Sequence, residues 1–183
     1  VVRTVATTHL IDKIAEKFDI PVHETPVGFK YICEKMLSEN IIIGGEESGG
    51  LSILGHIPEK DGILANLLAC EVAAIENKPL SVVYKNLLDE FGEVYTDRIN
   101  IHLKNDEQKN SIMHKLKVDP PSFIMNVKVN SINDVDGYKF LLKDGSWVLV
   151  RASGTEPVLR IYIEGTSKDM LRKLQKFAED IQK

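Results

Sequence analysis

The sequence predicts an α/β domain, a βαβ mixed sheet with helices on its faces, followed by a smaller α+β domain with an antiparallel sheet and two helices. Three observations carry that expectation. The first half alternates β-branched runs with stretches of helical spacing, the second half strings short strands across tight turns, and the rhythm changes near residues 92–96. The domains are therefore expected at 1–94 and 95–183, each of about 90 residues, small but viable as a folding unit.

The elements follow in order. Val1 to Thr7 reads as a strand, and Leu10, Ile11, Ile14, Ala15 and Phe18 recur at helical spacing behind Thr7 or Thr8 as a cap. Ile20 to Thr25 is short and extended, Gly28 to Leu37 is helix-like, and Ile41-Ile42-Ile43 is a wholly apolar run suited to a central strand. Glu59 to Ile75 is apolar on nearly every face and predicts a helix packed deep against the sheet. After Pro79 a stripe of Leu80, Val83, Leu87, Leu88 and Phe91 predicts a further helix, stopped by Gly92. In the second half Asp106 to Leu116 is helix-like. Phe123 to Val129, Tyr138 to Leu142, Trp147 to Val150 and Val158 to Ile163 read as strands, with Asp136-Gly137 and Asp144-Gly145 as hairpin turns. Thr166-x-x-Asp169 opens a closing helix whose face is Leu171, Leu174, Ala178 and Ile181.

With 183 residues, 43% hydrophobic and 27% charged, the chain can bury about 70% of its unfolded surface, and wholesale disorder is excluded. A net charge of −4 gives no global field for nucleic acid or an anionic membrane, so neither is expected as a partner and any anion must be met by a local site. No apolar run approaches the about 20 residues of a bilayer span, and a cytoplasmic setting is the expectation. Cys33 and Cys70 lack a second Cys or a His at metal-ligand spacing and read as buried free thiols.

Three loops carry chemistry. Gly44-Gly45-Glu46-Glu47-Ser48-Gly49-Gly50 follows the apolar run at Ile41–Ile43, at the carboxyl end of a strand, where open α/β sheets bind ligands. A carboxylate accepting from vicinal hydroxyls beside a serine suits a polyol, although composition alone also fits a solvated glycine turn. Arg151-Ala152-Ser153-Gly154-Thr155-Glu156-Pro157 lies between two strands, and its guanidinium, hydroxyls and backbone N–H groups can surround a phosphate dianion. A plain hairpin whose Ser and Thr bond their own backbone is the alternative. The Walker spacing is missing, so nucleotide hydrolysis is not indicated. In His56-Ile57-Pro58-Glu59-Lys60-Asp61-Gly62, Lys60 can set an ammonium beside a substrate oxygen at a helix start, or the acids simply complement the dipole. Gly28-Phe29-Lys30 opens another helix. No nucleophile elbow, His-Glu-x-x-His or dense aspartate cluster is present.

Together these motifs resemble the α-D-phosphohexomutase superfamily, in particular its phosphoglucomutase/phosphomannomutase branch, over essentially the whole chain. Members have four domains, and the likeness is to the third and fourth. The resemblance implies that Glu46 and Ser48 contact sugar hydroxyls, with Lys60 and Gly28 as further contacts and Lys30 and His56 as weaker ones. It implies that Arg151, Ser153, Gly154 and Thr155 hold phosphate. The family's phosphoserine and magnesium loops lie in its first two domains, so this chain alone is expected to be inactive, without catalytic or metal-ligating residues of its own. For the full-length enzyme it implies interconversion of hexose 1-phosphate and hexose 6-phosphate, with Mg2+ and glucose 1,6-bisphosphate as cofactors and the missing N-terminal domains as partners. Two other readings are kept: a phosphoglucosamine mutase, whose loop usually reads Gly-Glu-Gln-Ser-Gly-His where Glu47 and Gly50 stand here, and a stand-alone phosphosugar-binding module. The start in a strand at Val1 without a Met favours a truncated chain.

Overall fold

The β-branched start of the chain becomes β1 (Val2–Thr4), an inner strand that pairs in parallel with β2 (His23–Thr25) on one side and β3 (Ile43–Gly45) on the other. A short antiparallel strand, β4 (Leu51–Ile53), completes a four-stranded sheet in the order β2-β1-β3-β4. The connections supply α1 (Leu10–Lys17) and α2 (Phe29–Ser38), and α3 (Gly62–Glu76) and α4 (Leu80–Phe91) follow. The computed structural model describes residues 1–182, and Val1–Glu93 forms one compact unit with Val94–Lys183 as the other.

In the first unit one buried cluster gathers Val2, Phe29, Ile32 and Ile41, with Cys33 and Met36 packed on it, and Val5, Ala6, Leu10 and Ala15 are buried as well. Burial pushes the Cys33 thiol up. Cys70, by contrast, is exposed rather than buried. Arg3 is buried and held by both carboxylate oxygens of Asp12 and by Glu24, pairings that offset the cost of desolvating its charge.

Two expectations for this unit are corrected. The apolar run Ile41-Ile42-Ile43 is not itself the strand: β3 begins at Ile43, and Ile42 and Ile43 are exposed. Register explains the slip, because Gly44 pairs with Val2 and a Cβ at Gly44 would lie 2.5 Å from the Ile32 side chain. Only glycine lets α2 sit that close. The second correction concerns α3, which has no buried residue; Ile63 is 76% and Ile75 75% exposed. The helix is apolar around much of its circumference and packs mainly against α4 and β4, and a sheet of three-residue strands is too narrow to cover the remaining sides.

The second unit is an antiparallel sheet in the order β5-β10-β9-β8-β7-β6, built from β5 (Tyr95–His102), β6 (Phe123–Ile124), β7 (Val127–Asn133), β8 (Tyr138–Leu142), β9 (Trp147–Ala152) and β10 (Val158–Gly165). Alternate residues of the strands, including Phe140, Val148, Val150, Ile161 and Ile163, form a core with Leu116 of α5 (Asp106–Val118) and Leu174 and Ala178 of α6 (Lys168–Asp180). The strand β5 was not read from the sequence. A buried Trp147 donates from Nε1 to Glu164 at 2.9 Å and receives Lys139 over its ring.

Both hairpin glycines stand where expected, and Gly137, at φ +94, cannot be replaced cheaply: a Cβ there would lie 2.3 Å from the Val150 carbonyl. The cap of α6 is Ser167, not Thr166; its Oγ accepts from Met170 N at 3.1 Å, while Thr166 N donates to Ser146 Oγ. The α1 cap is His9 with no side-chain bond of its own, and Thr8 Oγ1 accepts from Leu10 N at 3.1 Å.

Candidate functional site

Each unit presents one chemistry-bearing loop on a strand end. In the first unit the turn from β3 to β4 is closed by Glu46 N donating to Gly50 O at 2.9 Å and Gly49 N donating to Glu46 O at 3.0 Å. This folds the Glu46 side chain back into its own turn. Ser48 Oγ donates to Glu46 Oε1 at 2.9 Å, and Lys60 Nζ lies 3.6 Å from the same oxygen. The Glu46 side chain is only 8% exposed and that of Lys60 57%, so a shielded carboxylate meets a solvated ammonium. Gly50 makes room for the pair: a Cβ there would lie 3.0 Å from Glu46 Oε1 and 3.2 Å from Lys60 Cδ. Three residues singled out in two separate loops of the sequence thus come together.

The neighbouring Glu47, not singled out, accepts from Thr4 Oγ1 at 3.3 Å and so ties the loop back to β1, where Thr4 and Thr7 share a hydrogen bond. Nothing local in the sequence marks that contact. The structure gives His56 another neighbour, since its Nε2 lies 3.1 Å from Asp61 Oδ2. Asp61 caps α3, accepting from Ile63 N and Leu64 N at 2.9 and 3.0 Å. Those amides, the Leu64 one foremost, together with His56 hold the Asp61 carboxyl below its usual range. Gly28 is the residue that precedes α2, and Lys30 of that helix lies over the Tyr31 ring, 4.6 Å from its centroid.

In the second unit the loop from β9 to β10 is narrowed by Ser153 N donating to Val158 O and Val158 N donating to Glu156 O, both at 2.8 Å. Arg151, at the end of β9, is largely covered, and its Nη2 pairs with Asp136 Oδ2 of the β7–β8 turn at 2.8 Å. That leaves two polar atoms without a hydrogen-bond partner: Arg151 Nε and Ser153 Oγ are both buried and unsatisfied. Such atoms cost of the order of 1–3 kcal/mol each when no partner arrives. Gly154 and Thr155 are exposed beside them, and a Cβ at Gly154 would meet nothing within 4 Å. The loop is open on that side. Asp136, which orients Arg151, was read from the sequence only as a turn residue.

Family comparison agrees with this division. Residues 1–91 match the model of phosphoglucomutase/phosphomannomutase, alpha/beta/alpha domain III, and residues 99–181 match that of the C-terminal domain of the same enzymes. The chain belongs to the phosphoglucomutase/phosphomannomutase family. It is 34% identical, over 93% of its length, to a phosphoglucomutase/phosphomannomutase of Thermococcus kodakarensis, and covers 35% of that protein. A phosphoglucosamine mutase of Fusobacterium nucleatum is 32% identical over 99% of the chain. Among solved structures, parafusin, a phosphoglucomutase from Paramecium in its open form, superposes with a TM-score of 0.80 at 27% identity, over 99% of this chain and 37% of that one. The chain therefore spans about a third of the length of these relatives. Among the described residues no helix is long and apolar enough to cross a membrane.

Proposed function

We propose that this chain supplies the part of a phosphohexomutase site that holds the sugar hydroxyls and the phosphate that is not being transferred. In the full-length enzyme this would serve the interconversion of hexose 1-phosphate and hexose 6-phosphate through a bisphosphate. The single observation that carries the reading is the pair of buried, unsatisfied groups, Arg151 Nε and Ser153 Oγ, on one loop. A phosphate dianion satisfies both: it accepts from the guanidinium edge left free by Asp136 and from the serine hydroxyl. Thr155 and the Gly154 backbone lie on the open side of the same loop.

The Glu46 cluster has the complementary chemistry. Both recorded contacts of its carboxylate fall on Oε1, so Oε2 can accept from a sugar hydroxyl, while Ser48 and Lys60 can turn from Glu46 to ligand oxygens. Exchanging one partner for another of equal strength makes binding cheap in desolvation. Gly28, Lys30 and His56 are proposed as outlying contacts, His56 acting through the Asp61 cap. All of this is positioning and electrostatic complementarity, without bond-making.

The Mg2+ and glucose 1,6-bisphosphate that family membership implies belong to the full-length enzyme. Among the described residues no grouping of three or more His, Cys, Asp or Glu side chains could hold a metal ion. A phosphoglucosamine mutase is the second reading, favoured by the Fusobacterium relative.

Calorimetric titration of the chain with glucose 1,6-bisphosphate, glucose 1-phosphate, glucosamine 6-phosphate and inorganic phosphate tests the proposal. Binding of sugar phosphates that Arg151→Ala and Glu46→Ala each weaken by about ten-fold or more is the expected result. Sugar phosphates bound equally by wild type and both variants would contradict it.

A further inference from the structure

Lys109 lies on α5, far in sequence from either loop, and it is one of the few buried lysines, at 7% exposure. A buried ammonium needs an acceptor for each of its three N–H donors. Lys109 has all three: Ser153 O at 2.9 Å, Glu156 O at 2.9 Å and Asp106 Oδ1 at 2.6 Å. Two of them are backbone carbonyls of the loop that carries the unsatisfied Ser153 Oγ and follows Arg151.

We propose that Lys109 is a positioning residue of this loop, which holds the Ser153–Glu156 backbone in its anion-receiving shape and sets a fixed positive charge behind it. The argument is geometric. A trans peptide points its carbonyl and the following N–H in opposite directions, so pulling the Ser153 carbonyl towards Lys109 turns the Gly154 N–H away from Lys109. The Glu156 carbonyl is fixed by Lys109 and by Val158 N together, and Pro157 contributes no N–H of its own. One ammonium thus fastens both ends of the four-residue arc.

The base of the stake is itself rigid. Asn105 caps α5 through Gln108 N at 2.9 Å, Gln108 Oε1 accepts from Lys104 N at 3.0 Å, and Leu103 N donates to Pro157 O at 2.8 Å. The segment that leads into α5 is therefore tied to the loop by backbone, and the helix itself by Lys109. The carbonyl bonds polarise the loop peptides, and the cation adds an attraction for an anion on their far side that a neutral side chain would not. Asp106 is exposed and its charge is screened by solvent, so it offsets this attraction only in part.

The inference rests on the proposed phosphate role of the loop, and its test separates the two. The probe is inorganic phosphate titrated against the full chain, with hydrogen exchange of the loop amides 153–156 measured without ligand. Lys109→Met is expected to weaken phosphate binding by about ten-fold and to speed exchange in the loop selectively. Lys109→Arg, which keeps charge and donors, is expected to recover part of the affinity. Leu116→Ala, a core change on the same helix, controls for simple loss of stability and should leave phosphate affinity within about two-fold. If Lys109→Met does not fold, Lys109→Gln is read by the same criteria. Equal phosphate affinity in wild type and the Lys109 variant overturns the inference. If wild type binds no phosphate, the functional reading fails, and exchange alone decides the Lys109 claim: selective loop loosening supports it, unchanged loop exchange overturns it.

Discussion

The two loops are finished differently. In the first unit Glu46 is already answered by Ser48 and Lys60, and the loop stands on a unit one of whose helices, α3, has no buried residue. In the second, Arg151 Nε and Ser153 Oγ are left unanswered on a unit whose core joins strands and two helices. Unsatisfied polar atoms can be tolerated where the scaffold is stable enough to carry their cost. A weakly packed unit must satisfy its polar groups internally and exchange partners when a ligand arrives. The contrast suggests a division of labour, a rigid receiver for phosphate and an adaptable one for hydroxyls.

The largest expected effect lies in the second core. Leu174→Ala removes a fully buried side chain of α6 and should cost about 2–5 kcal/mol, read by urea unfolding with fluorescence of Trp147, the single tryptophan. Next comes Gly137→Ala. Its Cβ would strike backbone at Val150 and the Arg151 side chain, so we expect a loss of roughly 1–3 kcal/mol together with weakened phosphate binding, measured on the same protein. A neutral result would break the contrast, because it would show that the receiver is not rigid.

Smaller effects belong to the first unit. The Asp61 carboxyl is held below its usual value, so its contribution to the start of α3 is present above the unfolded value of about 4 and is lost as pH falls through the depressed folded value. An acid titration followed by circular dichroism should lose helix over that range, and Asp61→Asn should flatten the loss. Smallest of all is Leu67→Glu, at a position 63% exposed on α3, which should change stability by no more than about 0.5 kcal/mol in either direction. A large destabilisation would mean that α3 is covered in solution.

Much of the fold could be read from local pattern. Helical stripes in α1, α2, α4 and α6 and the Asp-Gly turns are written in neighbouring residues, and β8, β9 and β10 could be located from β-branched runs between turn residues. The run Phe123 to Val129, expected as one strand, is instead folded at Met125 and Asn126, both at positive φ, into the antiparallel pair β6 and β7. What stayed hidden depends on tertiary partners. The strand β5 alternates, with Tyr95, Ile99 and Ile101 inward and Thr96, Arg98, Asn100 and His102 exposed, but Asp97 interrupts the inward row and only Ile101 is buried. The hydrophobicity of α3 signals a need for cover without saying whether cover exists. The start of β3 depends on which residue Val2 pairs with. At the sites, the glycine-flanked acids and the Arg-Ser-Gly-Thr loop announce themselves by composition, whereas Glu47 on Thr4, Asp136 on Arg151 and Lys109 on the loop carbonyls join residues between 15 and about 47 positions apart, and no spacing encodes them.

The central claim is that the loop of residues 151–157 is a receiver preformed for phosphate, and amide and guanidinium NMR during titration with inorganic phosphate tests it most directly. The account predicts saturable shifts concentrated at Ser153 to Glu156 and at Arg151 Nε–H, abolished by Arg151→Ala. Saturable shifts centred elsewhere, with the loop signals unmoved, would contradict it.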